Sequence, residues 1–178
     1  EAGVFKPMRT TKVFDDDLNL VEPGSDTIGI AYSSGHSPIG YYKEVEKSAE
    51  TFVRIAGVRY VKTGDRCTVR ADGMLILLGR DSTVINTGGE KVYTVEVERA
   101  LLSHRDITDA LVVGLPDTRF GNIVVAIVEG EGLTPQKLDT IGIQNYLGGL
   151  LADYKVPRNI FAIKSLRRSP NGKPDYPF

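Results

Sequence analysis

The residues best suited to chemistry lie in two stretches of the chain, residues 78–93 and residues 169–174. The second stretch reads Ser-Pro-Asn-Gly-Lys-Pro, so Lys173 follows turn-forming residues and can present its charge without being fixed by a helix. The first stretch has a Gly-Arg pair, then an apolar strand, then Gly88 and Gly89. This order predicts a hinge, a strand and a loop whose backbone can approach a ligand closely. A cation on such a loop together with a hinge indicates a lid that acts on an anionic substrate.

Together these stretches resemble the adenylate-forming enzymes, which include acyl- and aryl-CoA synthetases, amino-acid adenylation domains and firefly-type luciferases. The run Ile-Asn-Thr-Gly-Gly-Glu-Lys at residues 85–91 is similar to the one usual in bacterial fatty-acid–CoA ligases. The resemblance covers residues 10–175 in family order, and ordered blocks over that length are more specific than any single motif.

Composition sets limits that agree with this resemblance. The chain has 178 residues, of which 41% are hydrophobic, so it can form one domain of ordinary size or two small ones. A net charge of −1 argues against a general nucleic-acid or membrane-surface role. Cys67 is the only cysteine, which excludes an intrachain disulfide and fits a cytoplasmic protein. We expect neither a membrane span nor a signal peptide, and the two distant histidines do not predict a zinc site.

The resemblance implies an α+β fold in two parts. Residues 1–79 are expected to form a small β-rich subdomain that ends a larger nucleotide-binding domain. Residues 80–178 are expected to form a compact α+β lid, with the hinge near residues 80–82.

Local patterns predict several elements within these parts. Turn and cap residues predict a hairpin turn at 71–73, a helix capped by Thr94 with Val97, Ala100 and Leu101 inside, and a helix that starts at residues 134–135. Apolar runs and spacing predict a short helix at 43–53 and strands at 107–114, 123–128 and 159–163.

Asp65 and Arg80 are candidates for holding a nucleotide. An aspartate that follows glycine on a tight turn can accept two hydroxyl hydrogen bonds, which suits a ribose diol, although such residues commonly cap their own backbone. The resemblance implies that Asp65 holds the ATP ribose and that the guanidinium of Arg80 is a second ribose ligand.

Ser82, two positions after Arg80, occupies the family's hinge position. The family usually has aspartate or lysine there, and taken alone Ser82 is an ordinary loop residue. A backbone hinge needs only residues that absorb changes in φ and ψ, so serine remains compatible with it.

Gly88, Gly89 and Lys91 are candidates for binding coenzyme A. The resemblance implies that Gly89 and its strand line the tunnel for the pantetheine arm, and an ammonium at Lys91 can meet a phosphate. The glycines alone also fit a turn with positive φ, and Lys91 alone favours a solvated surface lysine over a phosphate contact.

Lys173 is the candidate catalytic residue. Attack of a carboxylate on the α-phosphate of ATP builds negative charge on phosphoryl oxygens, and a lysine placed there stabilises it. A lysine this close to the end of the sequence is otherwise a frayed terminal residue.

Other charged or reactive groups are not predicted to have a function. We expect the acidic run at 15–17 to be a solvated turn, residues 167–168 to be a solvated pair, and the thiol of Cys67 to be inert.

The predicted function is that of an ATP-dependent fatty-acid–CoA ligase. A carboxylic acid and Mg²⁺-ATP give an acyl-adenylate and pyrophosphate, and CoA then displaces AMP. The family's phosphate loop and acyl pocket are missing from the sequence, so the chain is expected to be a C-terminal fragment, inactive alone, whose partner is an upstream domain of the same protein. A carrier-protein-linked adenylation domain, a luciferase-like oxidase and a non-catalytic lid-like binding module remain open alternatives.

Overall fold

The computed structural model describes residues 3–169, and the chain divides into two compact units, residues 1–82 and residues 83–178. Unit 1 is an antiparallel sheet with a short helix, whereas unit 2 combines helices with a mixed sheet and a ribbon. The predicted α+β class is confirmed.

The sheet of unit 1 consists of β1 (Val4–Phe5), β2 (Thr11–Phe14), β3 (Gly29–Ser34), β4 (Phe52–Ile55), β5 (Val58–Val69) and β6 (Leu75–Arg80). The strand order is β1-β6-β5-β3-β2, and β4 pairs with the start of β5. Successive strand residues point to opposite faces, so Val13 and Phe14 are buried in separate apolar clusters. On one face Phe14 meets the rings of Tyr32 and Tyr60 edge-on, each at 5.4 Å between centroids.

A tight turn joins β5 to β6 and confirms the hairpin predicted at 71–73. The amide of Gly73 donates to the carbonyl of Arg70 at 2.8 Å, and Gly73 has a φ of +79°. This turn brings the end of β6 beside the middle of β5, where the candidate nucleotide ligands lie.

The helix predicted at residues 43–53 is shorter than expected. It runs over Val45–Thr51 (α1), and the chain then enters β4. The aromatic and β-branched residues of β4 favour strand pairing. Val53 and Ile55 pack against the cluster around Phe14, which explains why the helix stops.

Unit 2 contains the strands β7 (Ile85–Thr87), β8 (Glu90–Val92), β9 (Asp109–Asp117), β10 (Gly121–Glu129) and β11 (Asn159–Ala162), and the helices α2 (Thr94–Leu102) and α3 (Thr140–Gly148). Strand β10 is antiparallel to β9 and parallel to β11, while β7 and β8 form a separate ribbon. The three strands predicted in this unit are confirmed, with bounds shifted by a few residues.

Helix α2 buries the predicted face in the core of unit 2. Val97 and Leu101 are fully buried, and Ala100 is 9% exposed. The predicted cap is wrong, because the N-cap residue is Tyr93, which makes no side-chain cap. Thr94 is instead the first helical residue, buried with its hydroxyl 3.5 Å from that of Thr83.

Helix α3 begins later than predicted. It starts at Thr140 rather than at residues 134–135, because Asp139 caps it: Oδ1 of Asp139 accepts the amide hydrogen of Gly142 at 2.9 Å. A carboxylate at this position satisfies a backbone donor that has no partner within the helix. Ile143 and Leu147, four positions apart, bury the inner face.

Candidate active site

Asp65 and Arg80 face each other across the pairing of β5 with β6. Nε of Arg80 lies 3.4 Å from Oδ1 of Asp65, and the two side chains are 68% and 36% exposed respectively. Gly64, with a φ of +80°, directly precedes the carboxylate, and the Asp65 amide donates to Oγ1 of Thr63 at 3.1 Å. The fold therefore brings the two predicted ribose ligands together as an accessible acceptor and an accessible donor.

A buried arginine ties the predicted hinge to the sheet of unit 1. Arg66 is 7% exposed, and its Nε donates to Oδ1 of Asp81 at 2.8 Å. Its Nη1 lies 2.8 Å from Oδ1 of Asp16. Asp81 opens the 3₁₀ turn Asp81–Thr83, which contains the exposed Ser82. The residue directly before Ser82 is therefore held by unit 1.

The acidic run at 15–17 is only partly the solvated turn that was predicted. Oδ1 of Asp15 accepts the amide hydrogens of Asp17 at 3.0 Å and of Asn19 at 2.8 Å. These contacts, with the Asn19 amide first, lower the pKa of Asp15. Asp16 is solvated as predicted, with a side chain that is 59% exposed, but its carboxylate also forms an ion pair with the buried Arg66.

Gly88 and Gly89 form the turn between β7 and β8. Their φ angles are +58° and +91°, a region that side-chain-bearing residues rarely adopt. The amide of Gly88 donates to the carbonyl of Phe120 at 2.9 Å, whereas a Cβ on Gly89 would meet nothing within 4 Å. Backbone conformation thus requires glycine at Gly89, and the space beside it is open. Lys91 lies in β8 opposite Asn86, with an exposed side chain.

A cleft of about 180 Å³ lies beside this turn within unit 2. Phe120 and Tyr154 supply aromatic surface, and the guanidinium of Arg158 lies 4.1 Å from the centroid of the Phe120 ring. The remaining lining residues are Thr87, Gly88, Glu90, Val124, Asp153 and Val156. The cleft therefore combines aromatic surface with one guanidinium and the carboxylates of Glu90 and Asp153, a mixture of apolar surface and a few polar groups that is typical of ligand pockets.

Lys173 lies outside the described residues, but the segment before it is held by two carboxylates. The amide of Leu166 donates to Oε2 of Glu129 at 2.9 Å. Both Nε and Nη2 of Arg168 donate to Asp109, each at 2.6 Å. The predicted solvated state is therefore wrong for Arg168. Its hydrogen bonds are the main cause that lowers the pKa of Asp109.

Glu98 is a second carboxylate near this arginine that the sequence did not reveal. It projects from α2, and its Oε1 accepts the amide hydrogen of Val112 at 2.9 Å. Burial raises the pKa of Glu98, while this hydrogen bond and the charge of Arg168 act in the opposite direction. Glu98 thus links α2 to β9.

The described residues contain one buried cysteine, no group of side chains arranged to hold a metal ion and no membrane-spanning helix. Cys67 is 2% exposed, and burial raises the pKa of its thiol to about 11. Among residues 3–169, no group of three or more His, Cys, Asp or Glu side chains is arranged to hold a metal ion. Across the same residues, no helix has both the length and the apolar character required to cross a bilayer.

Comparison with known proteins identifies relatives over nearly the whole chain. Residues 96–173 match the family described as the AMP-binding enzyme C-terminal domain. A medium/long-chain-fatty-acid–CoA/3-oxocholest-4-en-26-oate–CoA ligase of Mycolicibacterium smegmatis is 50% identical over 171 residues, covering 94% of this chain and 30% of that protein. A 3-oxocholest-4-en-26-oate–CoA ligase of Rhodococcus rhodochrous is 47% identical over 170 residues, with the same coverage of 94% and 30%.

A solved structure gives the same relationship. ATP-bound MatB from Rhodopseudomonas palustris superposes with a TM-score of 0.80 and 27% identity, covering 97% of this chain and 32% of MatB. The chain thus spans about 30% of the length of the curated relatives it matches. Residues 96–173 belong to the AMP-binding enzyme C-terminal domain family, and nearly the whole chain is similar in sequence and fold to adenylate-forming enzymes.

Proposed function

We propose that this chain is the C-terminal part of an ATP-dependent fatty-acid–CoA ligase. The longer protein activates a carboxylic acid with Mg²⁺-ATP to give an acyl-adenylate and pyrophosphate, and coenzyme A then displaces AMP. The observation that carries the proposal is the Asp65–Arg80 pair, an exposed acceptor and donor on adjoining strands of a chain that is 50% identical to a fatty-acid–CoA ligase. CoA as the acceptor, rather than a carrier protein, is supported by the names of both curated relatives.

The nucleotide is held, in this proposal, where Asp65 of β5 faces Arg80 at the end of β6 in unit 1. The carboxylate of Asp65 accepts the hydrogens of the ribose hydroxyls, and Arg80 donates to the ribose oxygens. Their mutual contact is longer than a close ion pair, at 3.4 Å, so little is lost when the ribose oxygens replace it. Magnesium accompanies the ATP phosphates, which we expect on the part of the longer protein that this chain does not include.

Lys173 serves the first step. Its ammonium group neutralises the charge that grows on the α-phosphoryl oxygens as the substrate carboxylate attacks and pyrophosphate leaves. The same group has no task in the second step, in which the CoA thiolate attacks the acyl carbon.

The turn at Gly88 and Gly89 serves the second step. Open space at Gly89 allows an extended pantetheine arm to pass close to the backbone, and the adjacent cleft offers aromatic surface at Phe120. Lys91 and Arg158 also lie in unit 2, and their positive charges can bind the phosphate groups of coenzyme A.

The two steps need different groups of unit 2, so we propose a hinge near residues 80–82. The division between the two units after Ser82 supports this position, as does the hold of Arg66 on Asp81. Residues up to Asp81 then move with unit 1, and rotation begins at Ser82. We further expect a cytoplasmic enzyme, because ATP and CoA are the substrates.

A longer protein that contains this chain tests the proposal directly. Asp65→Asn and Arg80→Met should each raise the KM for ATP by about tenfold or more, because each removes a charged hydrogen-bond partner of the ribose. Asp72→Asn is the matched control, since Asp72 is an exposed carboxylate on the β5–β6 turn that pairs with Arg70. Acyl-CoA and AMP should be the products from medium- or long-chain fatty acids.

An absence of acid-dependent AMP release by the longer protein would refute the ligase assignment. The chain alone should make no acyl-adenylate. Pyrophosphate exchange by the isolated chain above the level of its Lys173→Ala variant would contradict that expectation.

A further inference from the structure

We propose that Asp109 and Glu129 anchor the segment before Lys173, and that Arg168 is a positioning residue for this lysine in the adenylation step. The inference rests on the proposed function, which gives Lys173 its task.

The anchor is built at one end of the β9–β10 pair. Asp109 and Glu129 are register partners across these strands, so their carboxylates lie side by side. Glu129 accepts the backbone hydrogen of Leu166 at 2.9 Å, and Asp109 accepts from the side chain of Arg168 two positions later. The segment is therefore attached at two successive points, one through its backbone and one through a side chain.

The attachment at Arg168 is specific in direction as well as in distance. Its Nε meets Oδ2 of Asp109 and its Nη2 meets Oδ1, both at 2.6 Å, which is the paired fork geometry of guanidinium and carboxylate. Nη2 also donates to the carbonyl of Ala110 at 3.1 Å. The side chains of Arg168 and Asp109 are 31% and 25% exposed, so solvent competes less than at an open surface pair.

This attachment limits where the catalytic ammonium can go. Lys173 follows Arg168 by five positions, so the intervening backbone cannot extend beyond about 18 Å from the anchor. A fixed starting point raises the local concentration of the ammonium group near a site within that radius. Loss of the Arg168 attachment increases the number of residues between Lys173 and the nearest attached position, which lowers the rate of the step that uses Lys173.

The test compares the two half-reactions in the longer protein that carries this chain. Arg168→Met should lower acid-dependent ATP–pyrophosphate exchange by about tenfold, while thioester formation from supplied acyl-adenylate and CoA stays within about twofold. Arg168→Lys, which keeps the charge but loses the fork, should fall between wild type and Arg168→Met. Arg105→Met is the matched control, because Arg105 is 90% exposed with a 3.6 Å contact to Asp106.

Equal losses in both half-reactions would mean that Arg168 is merely structural and would overturn the proposal, as would no loss in either. A wild-type protein without exchange activity would refute the proposed function, and with it the catalytic task of the anchor. Amide hydrogen exchange then still tests the anchor. The Leu166 amide should exchange about tenfold faster in Arg168→Met than in Arg105→Met, while Val125 in β10 is unchanged, and an unaltered Leu166 rate would overturn the anchor itself.

Discussion

At the residue scale, the carboxylate of Glu98 connects a helix to a strand, although burial disfavours its ionised form. Its carboxylate lies between α2 and β9 and accepts the backbone hydrogen of Val112, an edge-strand donor on the side of β9 away from β10. Burial opposes its charge, so the pKa of Glu98 is raised even though Arg168 and the hydrogen bond favour the ionised form. The helix is thus fixed to the strand by a group that is easier to protonate in the folded state.

We expect Glu98→Gln to gain stability relative to wild type as the pH rises from about 4 to about 7. The folded pKa is above the unfolded one, so the favourable contribution of protonated Glu98 is lost as the pH rises through the folded pKa. Glutamine keeps an oxygen that can accept from Val112 and cannot ionise. Urea unfolding at several pH values measures the difference in free energy of unfolding between Glu98→Gln and wild type. A difference that stays constant or falls as the pH rises would contradict the role of burial.

Residues that lie far apart in the sequence were the hardest to relate to one another from the sequence alone. The resemblance selected Asp65 and Arg80 as ribose ligands, which stays a prediction, and the structure places these two side chains 3.4 Å apart. Arg66 and Arg168 were not selected as functional side chains, because the carboxylates they bind lie far away in the sequence and only strand pairing brings them near.

At the element scale, glycines in unit 2 have opposite roles that depend on backbone conformation. Gly89 has a φ of +91° in the turn between β7 and β8. Gly148 is the last residue of α3, is not among the positive-φ glycines, and has room for a Cβ. Neither position is crowded, so backbone preference alone decides the effect of adding a methyl group.

We therefore expect opposite changes in the free energy of unfolding for two alanine variants. Gly89→Ala should lose about 1 kcal/mol or more, because alanine is strained at positive φ. Gly148→Ala should gain up to about 1 kcal/mol, because alanine favours the helix. Urea unfolding of the isolated chain measures both, and a change of the same sign in the two variants would contradict the backbone explanation.

Helix starts were harder to predict than strands, and caps explain why. Proline at residue 135 fits a first helical position, yet the carboxylate of Asp139 satisfies the amide of Gly142 and sets the start at Thr140. Several nearby residues can open a helix in this sequence. Packing of Ile143 and Leu147 into the core selects among them.

At the scale of the whole molecule, the division between the two units lies after Ser82. The residue before Ser82 is Asp81, whose carboxylate accepts a hydrogen bond from Arg66. An arginine buried between two carboxylates resists movement of Asp81, whereas Ser82 is exposed. A motion of unit 2 that exchanges Lys173 for the Gly89 turn would then have its pivot at Ser82. We therefore expect a less flexible backbone at Ser82 to affect the rates of the two half-reactions differently.

Ser82→Pro in the longer protein should spare acyl-adenylate formation and slow thioester formation by at least about tenfold, because proline fixes φ at the pivot. Ser82→Ala is the control, since it removes the hydroxyl and leaves φ free. An unchanged midpoint of thermal unfolding in Ser82→Pro would indicate that the contact between Asp81 and Arg66 is retained. Equal slowing of both steps by proline would argue against a pivot here.

The most direct measurement is the rate of acid-dependent ATP–pyrophosphate exchange by the longer protein with and without the ammonium group of Lys173. We predict that Lys173→Ala lowers this rate by about a hundredfold or more, because a charge that stabilises the transition state is lost. Thioester formation from supplied acyl-adenylate should remain near the wild-type rate. Exchange at the full wild-type rate in Lys173→Ala would contradict the account.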